Sequence, residues 1–237
     1  MLLKTRCIVL RQIPFSDNAI IVHVYTRESG RMAFMARISK SKTAKLRKNL
    51  FQPFFLLEIE YSNKNSRDLQ QISEAVLTPL LQTIPINPNK NATALFLSEI
   101  LYLCLKEEEG NNQLFDFLEN SIKYFDLLES NTNDFHLIFL SKLLKYLGFS
   151  PLIKNDDNNY FDIQNGIFTV SKPLSYVFLN PDETKVFIDC LTLSFSEIPD
   201  LSKLRKPVLA KIVDYYKIHL LSGKEPKSLA VLQEVFG

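Results

Sequence analysis

The chain of 237 residues is poor in the residues that most enzyme signatures need. Its three cysteines, Cys7, Cys104 and Cys190, are odd in number and far apart, which excludes both a disulfide framework and a CxxC metal knuckle. They read as small buried hydrophobes in a reducing compartment. The three histidines, His23, His136 and His219, show neither HxxxH nor HExxH spacing and read as structural. With only six glycines, the chain has neither GxGxxG nor GxxxxGKS/T, so no nucleotide-cradling loop can be named. No apolar run reaches the roughly 18 residues of a membrane span. Lys4, Arg6 and Arg11 interrupt the apolar N-terminus where a signal peptide would be continuous. A soluble cytoplasmic protein is the expectation.

What is present is an ordinary globular composition, 46% hydrophobic and 23% charged, enough to bury a core. The net charge of +2 conceals a split. Residues 1–80 hold 13 of the 28 Lys and Arg but 6 of the 26 Asp and Glu, a net of +7; the remainder holds 15 and 20, a net of −5. The positive charge is densest in RISKSKTAKLRK, where Arg37, Lys40, Lys42, Lys45, Arg47 and Lys48 have no acidic neighbour. Such a segment suits polyanions, because neutralising phosphates releases condensed counterions. The plainer reading is a solvated loop.

Around this segment the sequence has strand periodicity. TRCIVLRQI (5–13) and NAIIVHVYT (18–26) are β-branched runs separated by Pro14, Ser16 and Asp17. RMAFMARI alternates Met32, Phe34, Ala36 and Ile38 against Ala33, Met35 and Arg37; PFFLLEIEYS alternates Phe55, Leu57, Ile59 and Tyr61 against Glu58 and Glu60; DLQQISEAV supplies a fifth strand. Five short strands with polar connections predict a small antiparallel barrel of the OB-fold kind, which binds single strands along one face, although an SH3-like barrel has the same pattern. Tyr25, Phe34, Phe51, Phe54, Phe55 and Tyr61 interleave with the basic residues. Alternation sends most of these rings inward and leaves Tyr25, at a strand end, as the candidate for stacking on a base.

From Thr78 the prolines Pro79, Pro85 and Pro88 mark a boundary, which divides the chain into a barrel domain (1–78), a linker (79–90) and a helical domain (91–237) with an irregular insertion at about 150–180. Helical spacing predicts helices over 91–106, 112–129 and 134–147 on a shared core, the third behind the potential caps Thr132 and Asn133, and two more over 207–222 and 228–236. A short strand is expected at 166–170. Glu107, Glu108 and Glu109 read as a solvated helix end rather than a hard-metal site. The class is thus α+β in two domains.

Three stretches also resemble the bacterial recombination mediator RecO family: the opening RCIVLRQIPFSDNAIIVHVYTRESGRMAFMARISKSK with its turn Thr26, Arg27, Gly30 and Arg31; FHLIFLSKLLKYLGFSPLI with Leu147 to Pro151; and YYKIHLLSGKEPKSLAVLQEVF. They occur in the family's order over nearly the whole chain. The resemblance implies an OB-fold followed by an all-α domain, no enzymatic activity, and a nucleoid-associated cytoplasmic role in homologous recombination. It implies binding of single- and double-stranded DNA, annealing of complementary strands, and work with RecR, and indirectly RecF and RecA, on DNA coated by single-strand-binding protein. In the family that the chain resembles, many members carry a four-cysteine zinc site directly after the Leu-Gly-Phe-x-Pro element. Here KNDDNNYFDIQNGIF has neither Cys nor His, so a degenerate zinc-finger-like loop without metal, and no cofactor, is expected.

The candidate DNA-binding residues are therefore Arg31, Arg37, Lys40, Lys42, Lys45, Arg47, Lys48 and Tyr25. The resemblance also suggests as a partner the acidic, apolar C-terminal tail of the single-strand-binding protein, for which Phe135, Ile138 and Phe139 with Lys142 and Lys145 would offer an apolar pocket and cations. Two rival functions remain open: an RNA-binding OB protein, since phosphates and stacking do not distinguish RNA from DNA, and a protein-interaction scaffold whose basic loop is incidental.

Overall fold

The computed structural model describes residues 2–39, 45–62, 69–107, 109–130, 132–153, 159–197 and 200–236. It divides into two compact units, 1–128 with 226–237, and 129–225.

In the first unit, β1 (Leu2–Ser16), β2 (Ala19–Thr26), β3 (Gly30–Arg37), β4 (Leu56–Ser62) and β5 (Gln70–Leu77) close a barrel in the order β1-β2-β3-β5-β4. The alternation read from sequence is what the barrel buries: Val22, Val24, Phe34, Ala36 and Ile59 are all 0% exposed. The barrel expected to be antiparallel has one parallel seam. A ring with an odd number of strands cannot alternate direction all the way round. Four pairings are antiparallel and the closing one, β3 with β5, is parallel at Phe34↔Gln70 and Met35↔Gln71. The strand β1 serves both neighbours, with Leu2–Ile8 on β4 and Cys7–Ser16 on β2, and two bulges bend it around the barrel.

The expected linker is ordered. The Asp126 carboxylate of α2 (Asn112–Leu127) accepts the backbone N–H groups of Gln82, Thr83 and Ile84 at 2.7, 2.8 and 2.9 Å. Asn87 then caps α1 (Pro88–Cys104) by accepting from Asn89 and Lys90, with Pro88 in the first turn, where its missing N–H costs nothing. The last helix, α6 (Ser228–Phe236), returns to α1, where the Glu99 carboxylate accepts from the backbone N–H groups of Lys227 and Ser228. The helices predicted over 91–106 and 112–129 thus fall in the unit that holds the barrel, and the one over 134–147 falls in the other.

In the second unit, α3 (Phe135–Tyr146) starts at Asp134, not behind a Thr132 or Asn133 cap: Asp134 makes no capping bond, and its carboxylate pairs with Arg205. The irregular stretch contains a three-stranded sheet, β6 (Tyr160–Asp162), β7 (Ile167–Thr169) and β8 (Phe178–Leu179), in the order β7-β6-β8. A helix absent from the sequence expectation, α4 (Pro181–Thr192), follows, opened by a capping box between Asn180 and Glu183. The helix α5 (Arg205–His219) starts and stops earlier than 207–222, and the chain beyond it unwinds through Ser222 and Gly223 at φ 51° and 77°. Among the described residues no helix is long and apolar enough to cross a membrane.

Candidate nucleic-acid interface

The basic segment is pinched at its base. Arg37 ends β3 opposite Ala19 of β2 and is exposed. Beyond it the Ile38 N–H donates to the Asn18 carbonyl at 2.9 Å, and the Ser39 N–H donates to the Leu46 carbonyl at 3.1 Å. Leu46, 7% exposed, plugs into the core, and a 3-10 turn over Lys48–Phe51 ends on Phe51, which is 0% exposed. These two anchors leave Arg47 and Lys48 in solvent between them. Among the described residues neither they nor Arg37 takes part in an ion pair. Lys45 is also exposed but pairs with Glu74 of β5 at 3.1 Å. Lys40 and Lys42 lie outside the described residues. What the sequence indicates as one run is, where described, a rim of the barrel carrying unneutralised cations.

Arg31 and Tyr25 belong to another surface, which is covered. The hairpin of β2 and β3 lies against the chain between α1 and α2 backbone to backbone. The Arg31 N–H donates to the Glu107 carbonyl at 2.9 Å, and a Cβ on Gly30 would sit 2.5 Å from the Glu109 oxygen. Gly110 is as tight from the other side, with the Glu28 oxygen 2.3 Å from where its Cβ would be. Under this contact the Arg31 guanidinium donates to the Tyr102 carbonyl at 3.3 Å and lies over the Tyr102 ring. Arg27 grips Asp116 through two bonds at 2.6 and 3.3 Å, and Arg6 pairs with Glu119, which Lys123 also reaches at 2.9 Å. Tyr25 is 3% exposed and stacked on Phe115 of α2, with ring centroids 6.4 Å apart. Burial pushes its hydroxyl pKa up. A ring covered in this way has no face for a base, so Tyr25 packs the barrel against α2 instead of stacking on nucleic acid, and Arg31 is held by the chain around Tyr102 and Glu107. Among the aromatics of the first 80 residues Phe15 is the exposed one, at 60%; Tyr25, Phe34, Phe51, Phe54, Phe55 and Tyr61 are 0 to 6% exposed.

In the second unit the expected pocket is filled. Phe135, Ile138 and Phe139 are 1, 5 and 0% exposed, and Phe135 stacks on Phe195 at 5.4 Å. Lys142 donates to the Leu193 carbonyl and lies over the Phe195 ring at 5.7 Å, and burial lowers its pKa. Lys145 alone of that set is exposed. An incoming aromatic would have to displace the unit's own core, because close-packed interiors leave no such vacancy. A groove of about 460 Å³ does open in this unit, lined by Phe149, Pro151, Ile167, Phe168, Tyr215 and His219, none of them in that set.

The stretch expected to replace a zinc loop is described from residue 159 on. Phe161 holds it by ring contacts to Phe168, Phe187 and Tyr215 at 4.9, 5.0 and 5.5 Å. Asp162 accepts from the Asn165 side chain at 2.9 Å and the Ser175 hydroxyl at 3.0 Å; burial raises its pKa, and these bonds outweigh that and hold it low. Among the described residues no three His, Cys, Asp or Glu side chains converge as metal ligands. The histidines are bound into the structure. His136 is 1% exposed, and burial, helped by Arg205, lowers its pKa to about 3; the His219 Nε2 bonds the Ile163 carbonyl at 2.8 Å.

Comparison with known proteins covers the whole chain. Residues 1–80 match the family model "Recombination protein O N terminal" and residues 85–181 match "Recombination protein O C terminal". Proteins named DNA repair protein RecO from Azobacteroides pseudotrichonymphae, Bacteroides fragilis and Flavobacterium johnsoniae are 35, 36 and 34% identical to it, each alignment covering 100% of both chains.

Proposed function

The chain belongs to the RecO family of DNA repair proteins, and we propose that it acts in DNA repair and recombination by binding single-stranded DNA along the barrel rim of Arg37, Arg47 and Lys48. The observation that supports this reading most is the contrast in neutralisation. Arg6, Arg27 and Arg31 elsewhere on the barrel have carboxylates or carbonyls as partners, whereas these three face solvent without an ion pair among the described residues. Unpaired cations held at the base of a basic segment suit a flexible polyanion, whose binding is driven by counterion release. In this reading the protein is a mediator without catalytic chemistry that also binds duplex DNA and anneals complementary strands. With RecR it helps load RecA on DNA coated by single-strand-binding protein.

The test is a triple substitution, Arg37→Ala, Arg47→Ala and Lys48→Ala, with binding of a labelled single strand followed by fluorescence anisotropy over a salt series. Affinity should fall at low salt, and the slope of log affinity against log salt should shrink by about 0.7 for each phosphate that is no longer neutralised. An unchanged slope in a folded variant removes the rim from the site. The same reading makes the second unit metal-free, its loop held by Phe161 and Asp162. Elemental analysis of protein purified without chelator should find no stoichiometric zinc, and EDTA should leave Tm unchanged; near-equimolar zinc overturns this.

A further inference from the structure

We propose that Phe15 is the platform on which an unpaired base stacks when a single strand crosses the barrel rim; the inference rests on the DNA-binding reading above. A lone exposed phenylalanine is ordinary on a protein surface, so its 60% exposure alone carries nothing. Its backbone position does. The β1/β2 register runs Pro14↔Ile20 and then Ser16↔Ala19, so β1 advances two residues while β2 advances one. Phe15 is the extra residue of a bulge, and a bulge re-aims the side chain it carries. The bulge lies at the same rim as the exposed cations. Ser16 pairs with Ala19, Ala19 pairs with Arg37, Asn18 accepts from Ile38, and Ser39 closes on Leu46 just before Arg47 and Lys48. An exposed ring therefore stands within a few residues of the row that holds the phosphate-binding candidates.

The two chemistries are complementary. Cations hold the phosphates of any nucleic acid, but a ring can stack only on a base whose face is open. A single strand offers such faces and an intact duplex does not. Phe15 would thus supply discrimination between the two, which the cations alone cannot.

The absence of tryptophan from the chain makes a direct test possible, since Phe15→Trp introduces the protein's only indole. Titration with an oligothymidine should quench that indole, and a duplex of equal length should quench it far less. Phe15→Ala should lower the ratio of single-strand to duplex affinity roughly 5- to 150-fold, the range for one stacked base. Phe15→Leu, apolar but without a π-face, should show a similar loss, whereas Phe15→Trp should keep the ratio. Melting curves of the variants should match the parent, because the ring is largely in solvent. An indole that stays silent while anisotropy reports a saturated single strand, or an unchanged ratio in Phe15→Ala, overturns the stacking role and leaves DNA binding intact. Failure of the unsubstituted protein to bind a single strand at low salt overturns the DNA-binding reading, and this inference with it.

Discussion

Arg6, Arg27 and Arg31 lie in the same barrel, and nearly the same stretch of chain, as Arg37, Arg47 and Lys48, yet the two sets have opposite surroundings. The first set is pressed against α1 and α2. There Glu119, Asp116 and the Tyr102 carbonyl neutralise or accept it, and the rings of Phe115 and Tyr102 lie beneath the guanidiniums at 5.5 to 5.9 Å. The planar, permanently charged guanidinium suits such a place, because it stacks and forks at once. The second set lies on the rim, exposed and without an ion pair among the described residues. Exposed cations of this kind suit a polyanion, whose phosphates release counterions when they are neutralised. The net of +7 counted over residues 1–80 therefore mixes charge used to dock the helices with charge available for binding.

The covered face of the barrel depends most on Gly30, where the hairpin meets the chain between the helices. Its φ of 63° already disfavours an L side chain, and a Cβ there would lie 2.5 Å from one backbone oxygen and 2.6 Å from another. Neither oxygen can swing away as a side chain would. Gly30→Ala should cost about 3 kcal/mol or more, combining backbone strain with overpacking. Urea unfolding measures it, and a loss under about 1 kcal/mol would mean that the covering contact is loose.

Arg6→Ala gives a smaller effect that separates the two sets. It leaves the Glu119 carboxylate, whose side chain is 6% exposed, with Lys123 as its remaining cation among the described residues. Breaking a buried pair from one side is costly because a charge stays behind, and partial exposure of Arg6 discounts that to about 2 kcal/mol. Adding Glu119→Gln should recover part of the loss by removing the stranded charge. Single-strand affinity should stay at the parent value throughout. A drop in affinity at constant fold would move Arg6 into the binding set.

These long-range pairs explain what is and is not legible in the sequence. Barrel strands are legible because inward residues recur with a period of two, as Val22 with Val24 and Phe34 with Ala36 do. The basic run is legible as composition. The fate of each arginine is not, since Arg27 finds its carboxylate 89 residues downstream and nothing local marks the pairing. Tyr25 misleads for the same reason, as the helix that covers it lies far along the chain. Phe15 escapes notice because Pro14, Ser16 and Asp17 read as a turn that ends the strand at residue 13, whereas β1 runs on to Ser16. The helix α4 does carry a local signal, Asn180 with Pro181 and Glu183, in a segment whose surroundings read as irregular.

The smallest effect concerns Lys45, which the sequence assigns to the binding set and the structure pairs with Glu74 at 3.1 Å. Both side chains are well exposed, 69% and 44%, so the pair is worth under about 1 kcal/mol and screens readily. The same geometry that makes it weak makes it informative. If Lys45 belongs with Arg37, Arg47 and Lys48, Glu74 competes with phosphate for it, and Glu74→Gln should raise single-strand affinity a few-fold at low salt, an effect that fades as salt rises. Tm should hardly move. Lys45→Ala added to Glu74→Gln should then remove the gain and lower the salt slope by about 0.7, the share of a single phosphate. If Glu74→Gln leaves affinity unchanged, the Lys45 ammonium does not reach the strand. The binding set then narrows to cations that the barrel leaves unpaired.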